Sequence, residues 1–277
     1  MLAYFYLVVN IKFINLIFFI VKIKTFCYNN FIMYNFFTEN QKFNGKFNIT
    51  GGDYNHIKNV LRMKIGEQFL VSQGGTSHLC ELERFESDSV VAKILEENYQ
   101  DTSLPIEIHL FQGLPKADKL ELIIQKTVEL GVNKIIPVEM KRSIVKLDDK
   151  KKDGKTARWQ AIAESASKQS KRTSIPTVET AITYSKALEL AKDLDILIVP
   201  YESKNGMQDT TSALKEIQAG MKIGVLIGPE GGFDDKEIEK AKELGAKIIS
   251  LGKRILRTET ASITAVAMLM LYAETSL

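Results

Sequence analysis

The sequence is short of the residues that most often carry chemistry. Two cysteines, Cys27 and Cys80, occur among 277 residues. That excludes a disulfide framework and makes a reducing compartment, the cytoplasm, the default location. The three histidines, His56, His78 and His109, lie far apart, and no cysteine or acid joins them at ligand spacing, so no metal site is legible. There is no Ser-His-Asp arrangement, no GxGxxG turn, and no glycine-rich loop followed by Lys and Ser or Thr. Nucleotide phosphates are left without a cradle. Excess charge is scarce too. The formal net charge is +3, and residues 1–32 hold Lys12, Lys22 and Lys24 with no acid, so the rest of the chain sums to zero. Any basic partner surface must be local.

What is present is the mix of a globular chain, 45% hydrophobic and 26% charged, long enough for one large or two ordinary domains. From 36 to 97, short alternating segments at 46–49, 68–72, 77–84 and 89–95 are punctuated by Gly51-Gly52, Gly66 and Gly74-Gly75. They predict a small closed β-barrel, interrupted by one helix over 54–60 with Asp53 as its cap. The composition turns polar at 101–105, which places a domain boundary there. Beyond it, strands at 106–111 and 134–138 flank a helix over 119–130 whose apolar face is Leu120, Ile123, Ile124, Thr127 and Val128, ended by Gly131. This βαβ spacing announces a mostly parallel sheet and an α/β fold. A helix over 185–192 and a strand over 195–199, leaving through Pro200-Tyr201-Glu202, extend the pattern.

Residues 141–172 hold eleven Lys or Arg against four acids, Asp148, Asp149, Asp153 and Glu164. Such a patch is the footprint of a polyanion partner, although a charge run is also an ordinary solvated helix face. Trp159 beside Arg158, and the run from Gln169 to Arg172, favour the first reading.

The richest stretch is 226–265. An apolar strand at 223–227 ends on Gly228-Pro229-Glu230-Gly231-Gly232, and Asp234 can cap a helix over 235–244 that Gly245 stops. A second strand at 247–251 runs into Gly252, and after 253–257 a final helix begins near Thr258. In open α/β sheets that edge is where ligands bind. Backbone-lined loops with Glu230 beside them suit a neutral or positive ligand carrying hydroxyls or an adenine edge. The final helix carries Ile263, Val266, Ala267, Leu269, Met270 and Leu271 around most of its circumference, which suits a dimer as well as a core.

LIGPEGGF followed by LGKRILRTETA resembles the C-terminal signature of the SPOUT methyltransferases, specifically the bacterial family of ribosomal RNA small subunit methyltransferase E (RsmE type), which methylates N3 of a uridine in 16S ribosomal RNA. PKADKLELIIQKTVELGV and HIKNVLRMKIGE are also similar to that family, the second to its PUA-like domain. The resemblance begins at Met33. It implies a PUA-like RNA-binding β-barrel over 33–103 and a trefoil-knotted methyltransferase domain over 104–277, whose crevice binds S-adenosylmethionine, in a homodimer acting on the small ribosomal subunit. Residues 1–32, strongly apolar over 2–21 but lacking a charged start or a small-residue cleavage site, are then expected to be upstream sequence rather than a membrane anchor.

Residue by residue, the resemblance implies a cofactor pocket of Pro200, Tyr201, Glu202, Ile227, Gly228, Pro229, Glu230, Gly231, Gly232, Leu251, Gly252, Ile255, Leu256, Arg257, Thr258 and Ala261. RNA contacts fall to His56, Arg62, Lys116, Lys119, Arg142, Arg158, Gln169 and Arg172. Asn35 stands where the family often has Arg, which takes a phosphate contact away from the first strand. Removing the imide proton of uracil N3 needs a base, for which Glu259 is the candidate, with Arg257 stabilising the developing charge and Thr260 hydrogen-bonding. Thr258 and Glu259 also suit a plain helix N-terminus. Two other readings stand beside this one: a knot methyltransferase for another RNA or for a ribose hydroxyl, and an RNA-binding assembly factor without activity.

Overall fold

The computed structural model describes residues 33–145, 149–201 and 206–277; the 1–32 leader and Glu202 lie outside them. Two compact units divide the chain, one of residues up to Val71 together with His78–Tyr99, the other of Ser72–Ser77 together with Gln100–Leu277.

Five strands, in the first unit apart from residues 72–77 and Gln100, form one sheet: β1 (Asn35–Phe37), β2 (Lys46–Thr50), β3 (Gln68–Gln73), β4 (Thr76–Phe85) and β5 (Ser89–Gln100), in the order β1-β3-β4-β5-β2. Alternate side chains point to one side, as the two-residue period of a strand requires. Phe36, Phe47, Ile49, Phe69, Val71, Cys80, Leu82, Val90 and Ala92, drawn from all five strands, pack into a single core, so the sheet curls around it. Burial pushes the Cys80 thiol up to about 12, which makes it a packing residue rather than a nucleophile.

The helix of this unit departs from the expectation. It begins at Gly51 as α1 (Gly51–Asn55) and continues as one π-helical turn, His56–Val60. Asp53 is therefore inside the first turn and not the cap; Thr50 holds that position without a side-chain bond. The reason is Gly51, whose φ of +64° lets the chain pass from β2 into the helix with no linker.

The second unit is a parallel sheet of β6 (Glu107–Gly113), β7 (Lys134–Glu139), β8 (Thr177–Val178), β9 (Ile182–Thr183), β10 (Ile196–Pro200), β11 (Lys222–Ile227) and β12 (Lys247–Ile249). The order is β12-β10-β11-β6-β7-β8, with β9 also on β7, and the pairings are all parallel. Side chains alternate between two cores. Ile108, Leu110, Ile135, Ile198, Val225 and Ile227 face one way, with α2 (Lys119–Glu129), α3 (Asp149–Gln169), α5 (Met207–Lys215) and α7 (Thr258–Ser276). Phe111, Ile136, Val138, Leu197, Val199 and Leu226 face the other, with α4 (Tyr184–Ala191) and α6 (Asp235–Glu243). The face expected for α2 is the one buried: Leu120, Ile123, Ile124, Thr127 and Val128.

This layering locates a candidate ligand crevice. β6 and β11 are neighbours, yet β6 leads to α2 on one face and β11 to α6 on the other. Where adjacent strands send their chains to opposite faces, open α/β sheets place their ligand sites at the carboxyl ends.

Two residues of the basic stretch turn out to be structural. Trp159 is buried in the first of these cores. Arg172, expected at RNA, is also buried, and its guanidinium donates to the Val128 carbonyl at 3.0 Å and to that of Val132. Burial lowers its pKa to about 10, which still leaves it charged at neutral pH. A cation there serves one carbonyl in the last turn of α2, that of Val128, which also accepts from the Gly131 amide at 3.1 Å, and one just beyond the helix, that of Val132. Arg172→Met is expected to cost about 1 to 3 kcal/mol by taking a buried charged donor from the Val132 and Val128 carbonyls. In urea the unfolding midpoint should fall at unchanged slope, and the salt dependence of RNA binding should stay as it is.

Candidate active site at the carboxyl edge of the parallel sheet

The loops leaving β6, β10, β11 and β12 all open at the same edge, because every pairing is parallel. They are packed tightly where β6 ends. A Cβ on Gly113 would sit 2.6 Å from the Pro229 nitrogen and 2.7 Å from its Cδ, so only glycine lets the Gly228–Gly232 loop come this close. On the far side the Tyr201 and Phe233 rings meet edge to face at 6.0 Å, and the Tyr201 amide donates to the Ile249 carbonyl at 3.0 Å. The exits of β10, β11 and β12 are thereby tied together.

A buried polar network fixes the crevice floor. Gln112, fully buried on β6, donates from Nε2 to Thr258 Oγ1 at 3.0 Å and to the Gly113 carbonyl at 2.9 Å. Thr258 in turn donates to the Gly228 carbonyl at 2.7 Å. The Ser262 hydroxyl bonds to Gln112 Oε1 and lies 2.9 Å from the Thr258 carbonyl. One amide thus joins β6, the Gly228 loop and the start of α7. Neither Gln112 nor Ser262 was named from the sequence; the available signals were a lone amide in the apolar run IHLFQG and a serine in an apolar helix. Gln112→Leu leaves the hydroxyls and Gly113 carbonyl without their partner and is expected to cost about 2 to 4 kcal/mol, read as a lowered melting temperature.

Above the floor lie the charged groups. Glu230 accepts from the Lys116 amide at 3.0 Å and pairs with Lys119 Nζ at 3.0 Å. Partial burial pushes the Glu230 carboxyl up, but the Lys116 amide and the Lys119 ammonium outweigh it and hold the group below the usual carboxylate range. Lys119 Nζ also lies 3.4 Å from Glu259 Oε2, a buried oxygen on which no hydrogen bond is aligned. One ammonium therefore sits between two carboxylates, one from each of the loops singled out by sequence.

The loop after β7 is fastened to the same place. Arg142 Nη1 donates to the Gly231 carbonyl at 3.2 Å, the Lys141 amide donates to Glu237 Oε1 at 2.9 Å, and Lys141 Nζ pairs with Asp234 at 2.8 Å. Asp234 and Glu237 form a capping box on α6, as the sequence order of acid, acid and apolar residue allows. The Lys141 hydrogen bond holds the Asp234 carboxyl below its ordinary value.

Of the expected pocket residues, Ile227, Gly228, Pro229 and Thr258 are buried, and Pro200, Tyr201, Gly232, Leu251, Gly252, Leu256 and Ala261 are partly so. Arg257 and Thr260 are exposed beside Glu259, and Ile255 is fully exposed, so a cofactor role for Ile255 rests on its backbone. Among the expected RNA contacts, Lys116, Arg142 and Gln169 are exposed on the second unit, while in the first unit Arg62 is exposed with φ +52° and His56 is partly buried, its ring 6.1 Å from Phe36. Arg158 is exposed but holds Glu121 through two contacts of 2.8 Å. Among the described residues no group of three or more His, Cys, Asp or Glu is placed to hold a metal.

The chain is similar to known proteins over both units. The RNA methyltransferase domain family matches residues 102–270, and the RNA methyltransferase PUA domain family matches 49–95. Ribosomal RNA small subunit methyltransferase E of Bacillus subtilis is 41% identical over 225 residues, covering 80% of this chain and 88% of that one. Its namesake from Mesomycoplasma hyopneumoniae is 37% identical over 233 residues, covering 83% and 96%. Among solved structures, a ribosomal RNA small subunit methyltransferase E from Neisseria gonorrhoeae bound to S-adenosyl methionine superposes with a TM-score of 0.74 at 33% identity, covering 87% of this chain and 98% of that one.

Proposed function

This chain belongs to the family of ribosomal RNA small subunit methyltransferase E, and from that premise we propose that it transfers a methyl group from S-adenosylmethionine to N3 of a uridine in 16S ribosomal RNA. The observation that carries the reading is the convergence, at the β6/β11 crevice, of the backbone-lined Gly228–Gly232 loop with Glu259 at the start of α7.

The residues present fit the cofactor. Its adenosine needs backbone donors and acceptors at close range, and its sulfonium needs a carboxylate nearby. The exits of β10, β11 and β12 offer main chain at Gly228, Gly231, Gly232 and Gly252, where φ is +108° at Gly252. Glu230, kept anionic by Lys116 and Lys119, supplies the charge. Pro200, Tyr201, Ile227, Pro229, Leu251, Leu256, Thr258 and Ala261 would form the walls. When bound, the cofactor supplies an electrophilic methyl group for in-line displacement, so the protein's task is to position the base and take its proton. Glu259 accepts the imide proton, Arg257 stabilises charge on the base oxygens, and Thr260 hydrogen-bonds to the substrate.

The partner is the small ribosomal subunit in the cytoplasm, with His56 and Arg62 of the first unit and Lys116, Arg142 and Gln169 of the second as RNA contacts. Among the described residues no helix is long and apolar enough to cross a membrane. The chain's return from β12, at the sheet edge, to the exit of β11 supports the trefoil knot, and the exposed Ile255 and Leu271 support a homodimer that covers them.

Labelled S-adenosylmethionine incubated with this protein should transfer methyl to small subunits from a strain lacking the gene and none to transfer RNA. Cofactor binding accompanied by transfer to transfer RNA alone would replace this substrate with another.

A further inference from the structure

The pairing of Lys119 with Glu259 has a chemical direction. A carboxylate oxygen accepts hydrogen bonds, and an ammonium donates up to three. Glu259 Oε2 is buried without an aligned hydrogen bond, and Lys119 Nζ lies 3.4 Å away, so an acceptor and a donor stand side by side at the crevice. Lys119 is not committed to that oxygen. It is anchored from behind by Glu230 at 3.0 Å, which is itself held by the Lys116 amide. The Glu230 hydrogen bond raises the Lys119 pKa, with the Glu259 carboxylate adding to it, so the ammonium stays protonated through neutral pH.

Resting on the uracil N3 reading above, we propose that Lys119 is a catalytic and specificity-determining residue, which donates to a carbonyl oxygen of the target base while Glu259 accepts from the adjacent N3–H. The imide edge of uracil presents a donor flanked by acceptors, the complement of this pair. Cytosine presents an unprotonated N3, which sets acceptor against carboxylate, and an amino group in place of O4, which sets donor against ammonium when Lys119 faces that side of the base. Mismatches of that kind leave buried polar groups unpaired and account for large discrimination.

The same contact serves the reaction. Glu259 takes the N3 proton, the N3 electron pair forms the bond to the methyl carbon as the carbon–sulfur bond breaks with its electrons going to sulfur, and Glu259 later releases the proton to solvent. In between, the charge left on the base spreads to its carbonyl oxygens. Lys119, preorganised by Glu230, meets that charge without moving, as an oxyanion donor does. It remains an ammonium throughout.

The test is single-turnover kinetics of Lys119→Met and Lys119→Arg on small subunits, with cofactor affinity measured on the same samples. Lys119→Met should lose about a hundredfold to a thousandfold in the methylation rate, the size expected for one oxyanion donor, with cofactor affinity within about threefold of wild type; Lys119→Arg, which keeps charge and donors, should recover part of it. Subunits reconstituted with 5-fluorouridine-substituted 16S RNA carry a more acidic imide, and on them the Lys119→Met deficit should shrink. A methylation rate within threefold of wild type, a defect confined to cofactor affinity, or an undiminished deficit on the fluorinated RNA overturns the role given to Lys119. If wild type itself produces no N3-methyluridine, the functional reading fails and this inference falls with it.

Discussion

Gly113→Ala should be among the most damaging single-methyl additions possible in this chain. Its Cβ would lie 2.6 Å from the Pro229 nitrogen, 2.7 Å from Pro229 Cδ and 3.0 Å from the Gly228 carbonyl carbon. Two of those three atoms are backbone, and none can swing aside as a side-chain tip does. Relief requires the whole Gly228–Gly232 loop to withdraw from β6, which also pulls the Gly228 carbonyl from Thr258 and unsettles the Gln112 network. Overpacking of this kind costs about 1 to 3 kcal/mol or more, and a displacement near 1 Å of groups that position a reaction can cost about a hundredfold in rate. Both effects are expected, measured by urea unfolding and by turnover on small subunits. Gly224→Ala is the control, since a Cβ there would meet the ends of the Leu194 and Leu197 side chains at 2.7 and 2.9 Å, which can rotate. A Gly113→Ala protein with wild-type stability and turnover would mean that the contact does not define the pocket.

Glu259→Gln is expected to lower the chemical step by about 10² to 10⁴, the usual worth of a positioned general base, while leaving cofactor affinity close to wild type. The amide keeps the shape and removes the capacity to take a proton. The competing account is that Glu259 is only an acid in the first turn of α7, complementing the helix dipole. In that case its replacement costs about 0.3 to 1 kcal/mol of stability and nothing in rate. Single-turnover kinetics and thermal unfolding on the same sample separate the two accounts: slow chemistry with normal stability assigns the base, whereas normal chemistry with a small loss of stability assigns the helix terminus. The placement of Glu259 Oε2 beside Lys119 favours the first.

Much of the second unit was legible because its signals are local. β-branched runs gave the buried strands, Gly131 and Gly245 marked helix ends, and the 3.6-residue period picked out the five residues that α2 buries. The GPEGG loop and the RTETA helix start were also readable, and the parallel sheet brings their exits to one edge. What the sequence hid depends on partners far along the chain. Gln112 bonds residues 146 and 150 positions away, and nothing near it announces them. In a basic run Arg172 and Trp159 read as a nucleic-acid surface, but the helix α3 turns Trp159 inward, and Arg172 finds the carbonyls of Val128, in the last turn of α2, and of Val132 just beyond it. In the first unit the pattern places the helix start at Tyr54, three residues late, because Gly51-Gly52 reads as loop punctuation, whereas the positive φ of Gly51 lets the helix follow β2 directly.

The most direct measurement of the central claim is the identity of the methylated nucleoside. Small subunits from a strain lacking this gene would be treated with the protein and S-adenosylmethionine, and the 16S RNA digested and mapped by mass spectrometry. N3-methyluridine at a single position, absent from the untreated RNA and from a Glu259→Gln reaction, is the result expected. Methylation at a ribose oxygen, at another base, or at no site despite bound cofactor would contradict the reading of the crevice as a uracil N3 methyltransferase site.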